Sequence, residues 1–360
     1  MNRSIYSVIT GTGNYIPPKC VKNEDFLSND FYDADGKKLP KDNQEIIEKF
    51  FQITNIAERR YLSDDLLTSD MACYAAIEAI RSAGIDKEEL DYIIVAHNFG
   101  DVKKTVRRVD AVPSLASRVK HKLGIKNPGT IAYDLLFGCP GWLQAVIQAD
   151  YLIKSGDARK IMVIGADTLS RVSDPHDRDS MLYADGAGAT ILEAQQSEYP
   201  IGILAHKTRS DTLLDSGMLF MDKSYKPDNE NKDDIFLKMY GRKLYQYAIE
   251  KVPPTIKECL EKCNIQLSEI KKALIHQANG KMDAAILKRL FNLYDIFDVP
   301  EDIMPMTISW LGNSSVATIP TLLDLLLKNQ LSPHEIHKGD NLVFASVGAG
   351  MNINVLIYRM

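Results

Sequence analysis

Short apolar runs alternate along this chain with amphipathic stretches, a pattern typical of an α/β protein. The clearest apolar runs, residues 92–96, 161–165 and 342–346, predict buried strands. Apolar residues at helical spacing predict a helix over 142–154, which stops at Ser155-Gly156-Asp157, and another over 319–328.

The chain also contains an internal repeat. Residues 89–100 resemble residues 269–280, and each segment is followed by a turn, a helix and a strand. A period this long indicates a duplicated domain. We therefore predict two pseudo-symmetric βαβαβ halves, at 1–195 and 196–360. Cys139 and Asn313 would then occupy equivalent turns at two helix starts and meet near the centre, with His276 beside them.

Two polar stretches interrupt the pattern, at residues 29–42 and 222–234. Both are predicted to be surface excursions on a compact body, outside any site.

Composition narrows the class of protein. The chain has 360 residues, of which 45% are hydrophobic and 25% charged, as expected for a globular protein with a sizeable core. A formal net charge of -5 argues against a general nucleic-acid binder. No apolar run approaches the ~20 residues that cross a bilayer. The cysteines form no CxxC pair and the N-terminus lacks a signal-peptide core, so we expect a protein of the reducing cytoplasm.

Cys139 is the strongest candidate nucleophile. It lies between Gly138 and Pro140-Gly141, directly before the first predicted helix, and proline is favoured at a helix start. The positive helix end is expected to lower the thiol pKa and favour the thiolate. The Cys139 N–H could also bind an oxyanion. The other cysteines lie on apolar faces or in loops, without histidines at metal-ligand spacing, so no metal site is predicted.

His276 and Asn313 are the polar candidates in the second half. His276 follows a predicted strand, where open α/β sheets form ligand crevices. Asn313 could equally be a plain helix N-cap. His276 and Asn313 are candidates for catalysis only in combination with Cys139. His97, His334 and His337 are predicted to be structural.

The glycine motifs indicate close packing and no nucleotide site. Gly11-Thr12-Gly13 lacks the third glycine of a dinucleotide fingerprint, and the chain has no GKS or GKT phosphate loop. Residues 184–189 and 346–350 suit close backbone packing near a site.

Five motifs along the chain, taken in order, resemble the β-ketoacyl-acyl carrier protein synthase III family of the thiolase superfamily. They are Gly138-Cys139, Asp174-Pro175-His176-Asp177-Arg178, Asp185-Gly186-Ala187-Gly188-Ala189, His276-Gln277-Ala278-Asn279 and Gly312-Asn313-Ser314-Ser315. The resemblance implies a thiolase-like fold with layers α-β-α-β-α, usually as a homodimer.

The resemblance also implies a reaction, the decarboxylative Claisen condensation of an acyl thioester primer with malonyl-acyl carrier protein, in fatty-acid or related lipid or polyketide synthesis. Cys139 would carry the acyl group, while His276 and Asn313 would hydrogen-bond the malonyl thioester carbonyl. The N–H groups of Cys139 and Gly350 would form the oxyanion hole. The family requires no metal or redox cofactor.

Departures from the family pattern concern the primer. Lys49 and Ile53 stand where the family has a Trp and an Arg that flank the adenine of coenzyme A. We therefore expect an acyl carrier protein to deliver the primer as well. Val112 stands where the family often has a bulkier residue at the bottom of the acyl pocket, which predicts a primer longer than acetyl.

Docking of the acidic carrier protein calls for a basic patch. Lys281, Lys288 and Arg289 match basic carrier-binding positions of the family, although any one of them could be an ordinary solvated residue.

Two other classes of function remain to be weighed. The order Cys, His, Asn is also that of papain-like proteases, but Gly138-Cys139-Pro140-Gly141-Trp142 differs from their CGSCW-type run. The same fold could also pass the acyl group to an alcohol or amine, or join two long acyl chains. A degradative thiolase is excluded, because residues 346–350 lack its second cysteine.

Overall fold

The structure is a computed structural model that describes residues 4–229 and 232–360. Residues 230 and 231, which belong to the polar stretch 222–234, lie outside the described residues. The strands are β1 (Ser4–Tyr15), β2 (Lys19–Lys22), β3 (Glu58–Tyr61), β4 (Tyr92–Ala96), β5 (Asp101–Val102), β6 (Val109–Asp110), β7 (Ile131–Leu135), β8 (Lys160–Thr168), β9 (Asp185–Ser197), β10 (Gly202–Ser210), β11 (Leu219–Lys223), β12 (Ile235–Met239), β13 (Ile270–Ile275), β14 (Asn341–Gly348) and β15 (Asn352–Arg359). The α-helices are α1 (Asn43–Thr54), α2 (Thr68–Ala83), α3 (Leu115–Leu123), α4 (Gly141–Ser155), α5 (Thr212–Asp215), α6 (Gly241–Lys262), α7 (Gly280–Asn292), α8 (Ile308–Leu311) and α9 (Thr318–Leu327).

The elements predicted from periodicity are confirmed. The three apolar runs form β4, β8 and β14, and the two amphipathic stretches form α4 and α9. Helix α4 ends at Gly156, whose φ of 85° is in the left-handed region that favours glycine at a helix C-terminus.

Two sheets share one strand order. The first sheet runs β1-β9-β8-β4-β7 and the second runs β10-β15-β14-β13. Each sheet contains a parallel pair, β4 with β8 in the first sheet and β13 with β14 in the second. The strand next to that pair is antiparallel in both sheets, β9 beside β8 and β15 beside β14. This correspondence confirms the duplication that the repeat predicted, with the first sheet built from residues up to 197 and the second from residue 202 onward.

The layers are held by three hydrophobic clusters. Helices α4 and α9 lie between the sheets, where Leu143 and Leu322 pack with Ile94 of the first sheet and Phe344 of the second. Helices α2 and α3 cover the outer face of the first sheet, and α6 and α7 cover the outer face of the second. The observed order is the predicted α-β-α-β-α.

Membrane-spanning and metal-binding features bear on other classes of function. Among residues 4–229 and 232–360, no helix combines the length and the apolar character that a bilayer crossing demands. The same residues hold no group of three or more His, Cys, Asp or Glu side chains arranged to bind a metal ion.

Candidate active site

Cys139, His276 and Asn313 line one cavity, which opens between the two halves of the molecule and has a volume of about 900 Å³. The layered fold explains why they meet. Cys139 precedes α4, Asn313 lies shortly before α9, and these two helices share the central layer. His276 directly follows β13, which lies in the sheet packed against that layer.

The position of Cys139 depends on two glycines. Gly138 has a φ of 65°, and a Cβ on it would lie 2.7 Å from the Ala349 nitrogen. A Cβ on Gly348 would lie 2.6 Å from the Cys139 nitrogen. Both distances are too short for a side chain. The turn that carries the thiol is thus packed backbone to backbone against the end of β14, as the glycine motif predicted.

The predicted lowering of the thiol pKa is wrong for the free protein. Burial above all, together with the charge of Asp167, raises the pKa of Cys139 to about 11, and the hydrogen bond from Ser315 opposes them only in part. The helix end does not offset the loss of hydration of a thiolate. At neutral pH the group is therefore a thiol, and it must give up its proton as it reacts.

His276 is uncharged in this cavity. Its backbone N–H donates to the carbonyl of Ala345 at 2.8 Å, which continues the β13–β14 pairing past the end of the strand. Burial lowers the pKa of the imidazole to about 4. A neutral imidazole has one N–H, so His276 can donate a hydrogen bond to a carbonyl oxygen without carrying charge.

Asn313 is held by backbone and side-chain bonds. Its N–H donates to the carbonyl of Leu182 at 2.9 Å and its carbonyl accepts from Ala184 at 2.8 Å. The side-chain Oδ1 accepts from the N–H of Ser315 at 2.9 Å. With the oxygen occupied, the amide NH₂ is the group left to face the cavity, and it can only donate.

A series of hydrogen bonds behind the Cys139 thiol was not predicted from the sequence. Ser315 Oγ donates to Cys139 Sγ at 3.5 Å and accepts from Asn98 Nδ2 at 3.0 Å. The same Asn98 amide donates to Asp167 Oδ2 at 2.7 Å. Burial raises the pKa of Asp167. The available signal was positional, because Asp167 is at the end of β8 and Asn98 follows β4, where α/β sheets place polar site residues.

The sequence predicts Gly350 as an oxyanion donor, but its neighbour Ala349 is the residue that lines the cavity. Gly350 is not in the cavity lining, and a Cβ on it would contact Asn352 instead. Ala349 lines the cavity, and its nitrogen lies against Gly138 next to Cys139. As the first residue of a 3-10 helix (Ala349–Met351), Ala349 has an N–H without an intrahelical acceptor. The backbone donors near the thiol are thus those of Cys139 and Ala349.

The two polar stretches are part of the cavity, contrary to the expectation that they lie outside any site. Tyr32 and Leu39 of the first stretch and Tyr225 of the second line the cavity. The stretches also touch each other, because a Cβ on Gly36 would lie 2.9 Å from Pro227. Sequence reasoning missed this because polar composition does not reveal which way a long loop folds.

Val112 does not reach the cavity within one chain. Its side chain is 87% exposed and it is not among the lining residues. It follows the β5–β6 hairpin, which carries two other exposed valines, Val106 and Val109. The prediction that Val112 closes the acyl pocket is therefore not met by a single subunit.

The predicted carrier-binding and primer-binding positions are at the protein surface and the cavity mouth. Lys281, Lys288 and Arg289 are exposed on α7, which begins next to the cavity-lining Asn279. Lys49 and Ile53 on α1 line the cavity, and so do Arg178, Arg242 and Tyr240. The cavity lining therefore has cationic groups on α1 and on other elements, and an aromatic group, Tyr240, outside α1.

His97, His334 and His337, which the sequence predicts to be structural, are not among the residues that line the cavity. His97 bonds Asp134 Oδ2 at 2.9 Å and accepts from the N–H of Gly100 at 3.0 Å.

Comparison with known proteins identifies the family of the chain. The family model of 3-oxoacyl-[acyl-carrier-protein] synthase III matches residues 133–212, and the model of its C-terminal part matches residues 260–360. The β-ketoacyl-[acyl-carrier-protein] synthase III 1 of Vibrio parahaemolyticus is 34% identical over 349 residues, which cover 96% of this chain and 97% of that relative. The synthase III 1 of Vibrio vulnificus is 34% identical over 99% of this chain and 100% of the relative.

A solved structure shows the same architecture. The 3-oxoacyl-[acyl-carrier-protein] synthase III from Aquifex aeolicus superposes with a TM-score of 0.79 at 29% identity, over 98% of this chain and 100% of that one. These full-length matches rule out the papain-like alternative, which has no place for two layered halves. The chain belongs to the β-ketoacyl-acyl carrier protein synthase III family of acyltransferases.

Proposed function

We propose that this protein condenses an acyl thioester primer with malonyl-acyl carrier protein, with loss of CO₂, through an acyl group carried on Cys139. The observation that supports this most directly is the shared cavity, in which one thiol, one neutral imidazole and one fixed carboxamide face the same space.

In the first step the Cys139 sulfur attacks the primer's thioester carbonyl. The tetrahedral oxyanion is stabilised by the N–H groups of Cys139 and Ala349, which are fixed before the substrate arrives. Collapse expels the carrier thiolate, which takes the proton that the thiol releases. Because its raised pKa keeps Cys139 in the thiol form at neutral pH, this proton transfer is part of the acylation step.

In the second step malonyl-acyl carrier protein enters the cavity. His276 and the Asn313 amide donate hydrogen bonds to its thioester carbonyl, so that the enolate formed by loss of CO₂ is stabilised as charge develops. The enolate carbon attacks the acyl-Cys139 carbonyl and forms the new carbon–carbon bond. Cleavage of the bond between the acyl carbon and the Cys139 sulfur then releases the β-ketoacyl product, and the resulting thiolate takes a proton from water.

Intact-mass spectrometry tests the separate roles proposed for Cys139 in acylation and for His276 and Asn313 in condensation. After incubation with acyl thioesters, the wild type should gain the acyl mass on Cys139, and malonyl carrier protein should then discharge it as a β-ketoacyl product. His276→Ala and Asn313→Ala should still acylate but no longer condense, whereas Cys139→Ala should do neither. Discharge by an alcohol or amine, without decarboxylation, would instead favour the acyl-transfer alternative.

We also propose that a carrier protein delivers the primer. Lys49, Arg178 and Arg242 place positive charge at the cavity mouth, which suits the phosphate of a phosphopantetheine arm. Initial acylation rates with one acyl group on carrier protein and on coenzyme A should favour the carrier form. A clear preference for coenzyme A would refute this proposal.

Carrier docking is proposed on α7. Lys281 and Lys288 are two helical turns apart on one exposed face, roughly 10 Å along the axis, and Arg289 adjoins them. An acidic carrier docked there would hold its arm beside Asn279 at the cavity.

We propose further that the protein is a homodimer in which Val112 from each subunit enters the cavity of the other. The exposed apolar hairpin residues Val106, Val109 and Val112 support this, because such a cluster is normally covered. Light scattering after size exclusion should give a dimer mass. Val112→Phe should shorten the longest primer accepted, and an unchanged chain-length profile would contradict the arrangement. We also propose a cytoplasmic location, because a reducing compartment keeps thiols free and the five cysteines are free in the structure.

A further inference from the structure

The two polar stretches that line the cavity are both bound to one short segment beside it, residues 174–177. In the first stretch, the N–H of Tyr32 donates to the carbonyl of His176 at 2.8 Å. The side-chain Nδ2 of Asn29 donates to the carbonyl of Pro175 at 3.1 Å. These two hydrogen bonds fasten the first stretch to the segment.

The second polar stretch is bound to the same segment through Asp174. Ser224 Oγ donates to Asp174 Oδ1 at 2.9 Å, and the N–H of Tyr225 donates to Asp174 Oδ2 at 2.8 Å. The two stretches also contact each other, and both line the cavity that holds the reactive thiol. Residues 29–42 and 222–229 therefore form one roof over this cavity.

A buried lysine holds the roof to its anchor. Lys238 is on β12, and its neighbours on both sides in the chain line the cavity, so its own side chain lies on the other face of the strand. That side chain is fully buried. Its Nζ lies 2.5 Å from Asp174 Oδ2, 3.4 Å from Asp177 Oδ2 and 3.3 Å from the ring centroid of Tyr225. One ammonium group thus contacts both the anchoring segment and the second stretch of the roof.

Asp174 is ionised at neutral pH and depends on this ammonium group. Burial opposes its ionisation, but Lys238 and the N–H groups of Tyr225 and His176 hold the pKa of Asp174 below its ordinary value. A buried carboxylate whose cationic partner is removed is left without compensation, which is strongly unfavourable. Asp174 is only 1% exposed, so water reaches it only when the roof moves away from residues 174–177. Closure of the roof is therefore coupled to the charge of Lys238.

We infer that the roof keeps water away from acyl-Cys139 between the two half-reactions, and that Lys238 is the positioning residue that holds the roof closed. If water entered, its oxygen would bond to the acyl carbon and the bond from that carbon to sulfur would break. The protons of the water would end on a free carboxylic acid and on the regenerated thiol. Each water molecule occupies about 30 Å³ in the liquid, so a cavity of about 900 Å³ admits many of them unless it is covered. A covered site avoids this loss while the acyl group waits for malonyl carrier protein.

This inference rests on the proposed acylation of Cys139, so the acyl-enzyme is the readout of its test. Octanoyl-Cys139 is formed from octanoyl carrier protein, separated from excess substrate, and followed by intact mass without malonyl carrier protein, while released octanoic acid is measured. Lys238→Met keeps most of the apolar stem and removes the ammonium group. We expect its acyl-enzyme to hydrolyse at least about tenfold faster than the wild type, because loss of one partner of a buried ion pair shifts an opening equilibrium by more than that factor. The rate of acylation should change far less, since no residue at the reacting atoms is altered.

Two further variants separate an open roof from a general loss of stability. Lys272→Met also removes a buried lysine paired with a carboxylate, that of Asp302 at 3.2 Å, but Lys272 is not among the residues that line the cavity. Its acyl-enzyme should hydrolyse at the wild-type rate even if its melting temperature falls. Asn29→Ala combined with Ser224→Ala cuts one hydrogen bond from each stretch of the roof and leaves every buried charge paired, so it should fold even if Lys238→Met does not. We expect it to accelerate hydrolysis about fivefold.

The outcomes that contradict the inference are distinct from failure of the proposed function. Faster hydrolysis in Lys272→Met as well would show that reduced stability admits water, and would overturn the inference. Unchanged hydrolysis in a folded Lys238→Met variant, or in the double variant at Asn29 and Ser224, would overturn it too. If the wild type formed no acyl-Cys139 at all, the proposed function itself would be wrong.

Discussion

Replacing Gly348 with alanine is expected to disable the site while leaving every polar side chain in place. A Cβ on Gly348 would lie 2.6 Å from the Cys139 nitrogen, 2.7 Å from Pro140 Cδ and 2.9 Å from Cys139 Cβ. Ordinary contacts begin at 3.4 Å, so the Cys139 turn would have to move by about 0.8 Å at its closest point. The neighbours are backbone and a proline ring, which cannot rotate away.

The expected loss follows from that displacement. A shift of about 1 Å at a reacting group costs roughly 10²-fold in rate, and loss of one oxyanion donor costs about 10²–10³-fold. We therefore expect Gly348→Ala to lower kcat for condensation at least about 100-fold. Overpacking of this kind also costs about 1–3 kcal/mol of stability, which should lower the melting temperature without preventing folding.

The assay follows β-ketoacyl product formation at saturating primer and malonyl carrier protein, with intact mass reporting acyl-Cys139. Gly217→Ala is the matched control, because a Cβ there meets no atom of residues 4–229 and 232–360 within 4 Å, and it should behave as the wild type. Retention of more than half of the wild-type kcat in a folded Gly348→Ala variant would refute the claim that this close packing positions the thiol.

Three further predictions follow from the same geometry. Because burial raises the pKa of Cys139 to about 11, its alkylation by iodoacetamide should accelerate nearly tenfold per pH unit from pH 7 to 9, and a plateau below pH 8, read by peptide mass, would contradict this. Ser315→Ala removes the hydrogen bond to the sulfur that favours the thiolate, so alkylation at pH 8 should slow about fivefold, with an unchanged rate as the adverse result. Lys281→Glu with Lys288→Glu should raise KM for malonyl carrier protein about tenfold or more and leave kcat for small thioesters unchanged, whereas equal effects on both substrates would argue against docking on α7.

The local elements could be predicted because their signals are local. Apolar runs gave β4, β8 and β14, and helical spacing with a Gly156 stop gave α4. The repeat gave the duplicated architecture, since two similar segments in one chain adopt similar structures. That duplication also brings Cys139 and Asn313 to equivalent turns before two helices, so the sequence alone predicts the central part of the site.

Tertiary packing decided the features that depend on distant segments. Ala349 and not Gly350 lines the cavity beside Cys139, because the register of a tight turn is set by what packs against it, here Gly138. The pKa of Cys139 depends on how much protein surrounds it, which a helix-start motif does not report. The two polar stretches line the cavity because they fold back over it.

The sequence alone therefore predicted the fold class, the duplication and the three central polar residues. Each of these features has a local signal, either hydrophobic periodicity or a short motif. Only the three-dimensional structure decided the degree of burial of Cys139 and which backbone nitrogens lie beside it. The physical reason is that hydration and hydrogen-bond satisfaction depend on every atom nearby, and most of those atoms belong to residues remote in the chain.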